Sequence, residues 1–229
     1  MIDLNLADKL LLLALDDEKG TFVSGPFALT YGLAGAILLE LSLKECIKIV
    51  DKKVVVNNLK RIDDALLDSY LQLLVRSKKN RSLKYWVEKF GNKERLIKKE
   101  ILDKLILKGI LAKREQKFLW VFNNDKFPTV NSKPENILRK RLCEIIEYSK
   151  KPTLEELMLI SLIDTCGLNR IVYGKDRSKR CKGNIKAIIA DAKNSSAISA
   201  TIKEVHEVIL AMLVVIISSS IATTTVTNN

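Results

Sequence analysis

Residues 93–122, KERLIKKEILDKLILKGILAKREQKFLWVF, decide how this chain is read. The spacing predicts a basic helix over Lys93–Lys108. Gly109 is its natural stop, because glycine enters the left-handed conformation that closes a helix without a Cβ penalty. Leu102, Leu105 and Ile106, with Leu96 or Ile97, supply the core-facing side. Arg95 stands three and four residues before Lys98 and Lys99, so the three cations share one face. Like charges at that spacing repel slightly, and helix stability does not account for them. A solvated face is one explanation and an anion site the other. After Gly109, Ile110–Ala112 and Phe118–Phe122 read as two strands around a basic tip, Lys113–Lys117. Phe118, Leu119, Trp120, Val121 and Phe122 are apolar on both faces of such a strand. A hairpin of this kind must be buried, paired with a second subunit or inserted into a bilayer, because an exposed apolar edge invites aggregation.

Outward from this stretch the chain is mainly α: a helical bundle core with a short β-hairpin near 47–58 and a projecting β-hairpin near 110–122. Residues 4–15 read as a Leu-rich helix with Asn5 as its cap. Residues 26–44 form a helix apolar on most sides, which places it in the core. Gly32, Ala34, Gly35 and Ala36 are small and let another element approach it closely. Ile47–Val50 and Val54–Val56, joined by Asp51-Lys52-Lys53, read as a hairpin from their β-branched runs. Helices are expected over Asp63–Leu74 and Ser82–Phe90, the second ended by Gly91, with a basic loop at Arg76–Arg81 between them. Further helices follow at Ile137–Tyr148 and, capped by Thr153 with Glu156 in the reciprocal position, at Leu154–Asp164. Tyr173–Lys186 carries a second basic cluster. Val208–Ile217 is continuously apolar, but ten residues fall short of the roughly 20 that span a bilayer. A buried core helix followed by a frayed polar tail at 218–229 is expected, with a weak tail anchor as the alternative. The domain is placed at 1–217.

Composition narrows the function. The net charge of +12 favours polyanionic partners, either nucleic acid or the anionic face of a membrane. Cys46, Cys143, Cys166 and Cys181 lack C-x-x-C spacing and read as free thiols of a reducing compartment. Asp3, Asp8 and Lys9 interrupt any secretory signal. His206 is the only histidine, which excludes HExxH and any multi-His metal centre. No G-x-S-x-G or local cysteine-nucleophile pattern occurs. The chain reads as a binding protein, not an enzyme, with no catalytic residue, metal or cofactor.

Two binding classes use the organising stretch. In a winged-helix nucleic-acid binder, Lys93–Lys108 would be the recognition helix and Ile110–Phe122 the wing. FLWVF is unusually apolar for a wing, and the helix offers Lys rather than the Arg, Asn or Gln that read base edges. In a peripheral membrane protein, the cations meet anionic headgroups while the hairpin inserts, so one surface accounts for both charge and apolar area.

The ordered pattern LNLADKLLLLALDDEKG, YGLAGAILLELSL, IKIVDKKVVV, LKYWVEKFG and LKGILAKREQKFLWVF resembles the Golgi phosphoprotein 3 family over about residues 4–217. The chain has no long basic N-terminal extension and resembles a minimal, prokaryotic-type relative. The resemblance implies a helical bundle with a projecting hairpin that contacts membrane and mediates self-association. It further implies an adaptor, cytoplasmic and peripherally membrane-associated, that binds phosphatidylinositol phosphate and captures cytoplasmic tails of membrane proteins. It assigns headgroup binding to Arg95 and Lys98, beside Lys99. The family's Trp and remaining Arg fall, without gaps, on Gly25 and Ala34, which carry neither ring nor charge. Phe22 or Phe27 would supply the aromatic after a local shift.

Overall fold

The computed structural model describes residues 2–16, 19–22, 26–114, 117–118, 122–123, 125–194, 203, 206–212 and 214–215, with backbone only at 26–27, 117–118, 122–123 and 192–194. The first helix, α1 (Leu6–Leu13), opens on Asn5, whose side chain accepts from the Asp8 amide while the Asp8 carboxylate accepts from the Asn5 amide. This reciprocal cap satisfies two amides that the helix itself cannot. All of α1 but Lys9 is buried, and it packs on α2 (Pro26–Leu43), the apolar helix expected at 26–44. The small residues of α2 do allow close approach. A Cβ on Gly32 would lie 2.6 Å from Cys166 Sγ, and one on Gly35 the same distance from Ile209 Cγ2. The apolar C-terminal stretch therefore joins the core only in part: His206, Ile209 and Met212 are buried, whereas Val214 and Val215 are 60% and 64% exposed and depart from the buried helix expected there. The tail at 218–229 lies outside the described residues.

The first hairpin pairs β1 (Ile47–Val50) with β2 (Lys53–Val56), Val50 opposite Lys53. Lys53 therefore belongs to the strand and not, as expected, to the turn. The turn is the two residues Asp51 and Lys52, both at positive φ (51° and 60°). Two left-handed residues give the turn whose twist matches that of the flanking strands.

Next come α3 (Ala65–Val75), capped by Asp64, and α4 (Leu83–Gly91), capped by Ser82. Gly91 does not stop α4, as expected, but is its last residue. Its missing Cβ leaves room for Tyr31, whose ring carbons would stand 2.7 Å from such an atom. α5 (Glu94–Leu107) buries Ile97, Ile101 and Leu105 completely. It ends as expected: Gly109 has φ 67°, its amide donates to Ile106 O, and the Ile110 amide donates to Leu105 O. These two bonds close the helix in the Schellman manner.

The second hairpin differs from its expected register. β3 (Lys117–Phe118) pairs with β4 (Phe122–Asn123), Phe118 opposite Phe122. Bridges Leu111↔Thr129 and Arg114↔Lys126 continue the arm toward its base. The expected tip at Lys113–Lys117 is therefore not the turn, because Arg114 bridges Lys126 and Lys117 lies in a strand opposite Asn123. Leu119, Trp120 and Val121 lie outside the described residues. An unbroken apolar run has no alternation to pin a register, so slips are not penalised locally.

The remaining helices are α6 (Lys133–Tyr148), α7 (Leu154–Thr165), α8 (Asn169–Tyr173), α9 (Lys175–Arg180) and α10 (Lys182–Asn194). α6 starts four residues earlier than expected, with Pro134 in its first turn, where the missing amide costs nothing. The Thr153–Glu156 capping box of α7 is present. Arg177 and Arg180 of the second basic cluster both pair with Glu147 of α6, at 2.9 and 2.6 Å. Among the described residues, no helix is long and apolar enough to cross a membrane.

Candidate anion-binding cleft

The start of α5 opens into a cleft of about 390 Å³, lined by Thr30 and Tyr31 of α2, Gly91 at the end of α4, the Asn92–Lys93 turn, and Glu94, Arg95 and Leu96. That volume lies in the range of small-ligand sites. Local sequence builds the cleft. α4 and α5 are separated only by Asn92 and Lys93, so the first turn of α5 sits beside the end of α4. No side chain caps α5 at Lys93. The first amides of a helix have no acceptor within it, and its dipole leaves partial positive charge at that end. At α5 the Leu96 amide donates to Lys93 O at 2.9 Å, which leaves the amides of Glu94 and Arg95 at the helix start.

The three sequence-predicted cations part company. Arg95 is exposed, lines the cleft and has no ion-pair partner among the described residues. Lys98 is half-buried, pairs with Glu94 and holds its Nζ 4.7 Å from the centroid of the Phe22 ring. That contact is a cation–π interaction, favourable because the ring face is negative. Phe22 is thus one of the two aromatics considered as a replacement, and its partner is Lys98. The side chain of Phe27, like Gly25, lies outside what is described. Lys99 pairs with Asp103 at 2.6 Å on the exposed side of α5 and does not line the cleft. Ala34 is fully buried one helical turn beyond Thr30 and Tyr31, and its methyl group brings no charge to the cleft.

Sequence reasoning missed Tyr31. It sits in a helix apolar on most sides, and nothing local separates a cleft-lining ring from a core ring. The Gly91–Tyr31 contact is the signal, and it exists only in three dimensions. Glu94 is the one carboxylate of the lining, and Lys98 neutralises it.

Elsewhere on α5, Lys104 is pinned to both Asp8 and Asp64. Burial pushes the Asp8 carboxyl up, more than Lys104 and the Asn5 amide pull it down. Burial also raises Asp64, but the hydrogen bonds from Lys104 and the Leu67 amide outweigh it and hold the group low. The two carboxylates on one ammonium shift oppositely because Asp8 is fully enclosed and Asp64 is not. The Lys104 network ties α1 and α5 to the start of α3.

Comparison with known proteins accords with this architecture. The family model described as Golgi phosphoprotein 3 (GPP34) matches residues 6–208. Vacuolar protein sorting-associated protein 74 of Schizosaccharomyces pombe is 22% identical over 191 residues, covering 72% of this chain and 56% of that protein. The chain therefore spans a little over half the length of that curated relative. With a match running from the first turn of α1 to the C-terminal helical stretch, the chain belongs to the Golgi phosphoprotein 3 family.

Proposed function

We propose that this protein is a non-catalytic, peripheral membrane adaptor that holds an anionic, phosphoinositide-like headgroup in the α5 cleft. The observation that carries this reading is Arg95, exposed and without an ion pair among the described residues, at an uncapped helix start inside a walled cleft. A phosphate there would accept from the guanidinium and from the first-turn amides. Tyr31 gives the sugar ring of a headgroup a flat wall. Lys98 adds charge from the adjoining face and keeps Glu94 from repelling the ligand. Lys99 contributes only to the general field.

The hairpin register supports the second half of the mechanism. Phe118 stands opposite Phe122, so the two ends of the apolar run are paired, and in this reading that run meets a bilayer or a second copy. In this reading the protein works on the cytoplasmic side of a membrane and collects the tails of membrane proteins, as the sorting role in the relative's name suggests. A nucleic-acid role finds less support. Glu100 and Asp103 share the exposed side of α5, and Lys98 and Lys99 are already paired.

Sedimentation with vesicles tests the proposal. Unaltered protein should pellet with vesicles carrying a phosphatidylinositol phosphate and remain in solution with neutral ones. Arg95→Glu combined with Lys98→Glu should abolish the difference, a loss on the order of 1,000-fold when each removed and each added charge counts about fivefold. Binding indifferent to lipid charge, or unchanged in the double variant, would sink the proposal.

A further inference from the structure

A second cationic surface lies at the opposite end of α4 from the cleft. The β1–β2 hairpin is fastened to the start of α4: the Val54 amide donates to Arg81 O at 2.8 Å, and Lys53 faces Ser82 in an antiparallel bridge. This joins the turn residue Lys52 to the loop at 76–81. Lys52, Lys53, Lys79, Arg81 and Lys84 are exposed there, and Lys89 follows on the same helix. The chain has no carboxylate between Asp68 and Glu88. Glu88 stands 4.0 Å from Lys84, and none of Lys52, Lys53, Lys79, Arg81 or Lys89 has an ion pair among the described residues.

What holds two of these cations is a ring. Arg81 Cζ lies 5.2 Å and Lys89 Nζ 5.5 Å from the centroid of Tyr85, itself exposed. Val50 and Val75, 43% and 40% exposed, stand on the flanking elements. Like charges gathered in this number repel one another, and Glu88 beside Lys84, Asp51 in the hairpin turn and the Tyr85 ring offset only part of that repulsion. The remainder is expected from a partner of opposite charge.

The composition selects among anionic partners. Lysine and arginine around an amphipathic tyrosine ring and scattered valines suit a headgroup layer, with charge at the phosphates and rings at the interface. The surface also lies close to the cleft: α4 runs from it to Gly91 in the cleft wall, about 13 Å at the helical rise. We propose that the Lys52–Arg81–Lys84–Tyr85 surface is a second foot on an anionic bilayer, orienting the protein so that the α5 cleft can take a headgroup. It rests on the membrane-docking function proposed above, but uses different residues and needs no particular headgroup.

The test uses the full chain and two vesicle types: phosphatidylcholine with about 30 mol % phosphatidylserine, and the same with about 5 mol % of a phosphatidylinositol monophosphate. The triple variant Lys79→Gln, Arg81→Gln, Lys84→Gln changes only exposed side chains, and its circular dichroism should match the unaltered protein. It should bind phosphatidylserine vesicles on the order of 100-fold more weakly, about fivefold per cation, while keeping its preference for the phosphoinositide. Arg95→Glu should lose that preference. A triple variant that binds phosphatidylserine vesicles like the unaltered protein overturns the second foot. So does one that keeps vesicle binding and loses only its retention on poly-glutamate, an outcome that would assign the surface to an acidic protein. If Arg95→Glu keeps the preference while the triple variant fails on phosphatidylserine, the cleft proposal falls and the second foot stands.

Discussion

Arg95 and Lys104 occupy the same helix, nine residues apart, and do opposite work. Lys104 points inward, where it neutralises Asp8 and Asp64 and ties α5 to α1 and the start of α3. Arg95 points into an open cleft and has no ion pair among the described residues. The difference teaches that the positive charge of α5 is two populations. One has its counter-charge inside the fold, and only the other is available to a ligand. Lys98 stands between them, tied to Glu94 yet stacked on Phe22 beside the cleft.

The comparison breaks most sharply at Lys104. Lys104→Met leaves the fully buried Asp8 without its cation, and chemical denaturation should show a loss of about 3–5 kcal/mol, the usual cost of orphaning one member of a buried pair. The network also predicts a pH signature. Burial lowers the Lys104 pKa, but the Asp8 and Asp64 carboxylates outweigh it, and the group lies above its ordinary 10.5. Its stabilisation is therefore complete below 10.5 and is lost as pH rises through the higher folded value. Unaltered protein should shed stability in that alkaline window, and Lys104→Met should lack this component.

Gly91→Ala should rank next. The added methyl meets Tyr31 ring carbons at 2.7 Å, so the ring must move, at about 1–3 kcal/mol. Both a lowered denaturation midpoint and weaker vesicle binding are expected. Normal vesicle binding would remove Tyr31 from the site. Phe22→Leu keeps apolar volume but removes the ring beneath Lys98. A loss of about 0.5–1 kcal/mol in the same denaturation assay would sharpen the intermediate status of Lys98, and no change would mean that its pairing with Glu94 alone places it. Smallest of all, Lys99→Gln breaks an exposed pair and should change stability by less than about 0.5 kcal/mol, with vesicle binding close to normal. A large effect there would extend the site around α5, beyond the cleft.

Much of the fold was legible because its signals are local. Asn5, Thr153 and Gly109 each act within four residues, through side-chain caps or a left-handed backbone, and each stands where it was expected. Gly91 looked like the same kind of stop and is not. Its role is set by Tyr31, sixty residues away, and no local rule contains that contact. The FLWVF hairpin failed differently: with no alternation of polar and apolar residues, its register was undetermined until the strands paired.

For the site, the sequence by itself determined the helix, its charge and the grouping of Arg95, Lys98 and Lys99 on one face, because a 3.6-residue repeat follows from the backbone alone. The pairs Glu94–Lys98 and Lys99–Asp103 are local too, each spanning one helical turn. Only the tertiary structure decided that Arg95 opens into a cleft while Lys104 is engaged, because burial and long-range approach are set by packing. Asp8 and Asp64 reach Lys104 from distant parts of the chain, Phe22 reaches Lys98, and no described carboxylate is brought to Arg95.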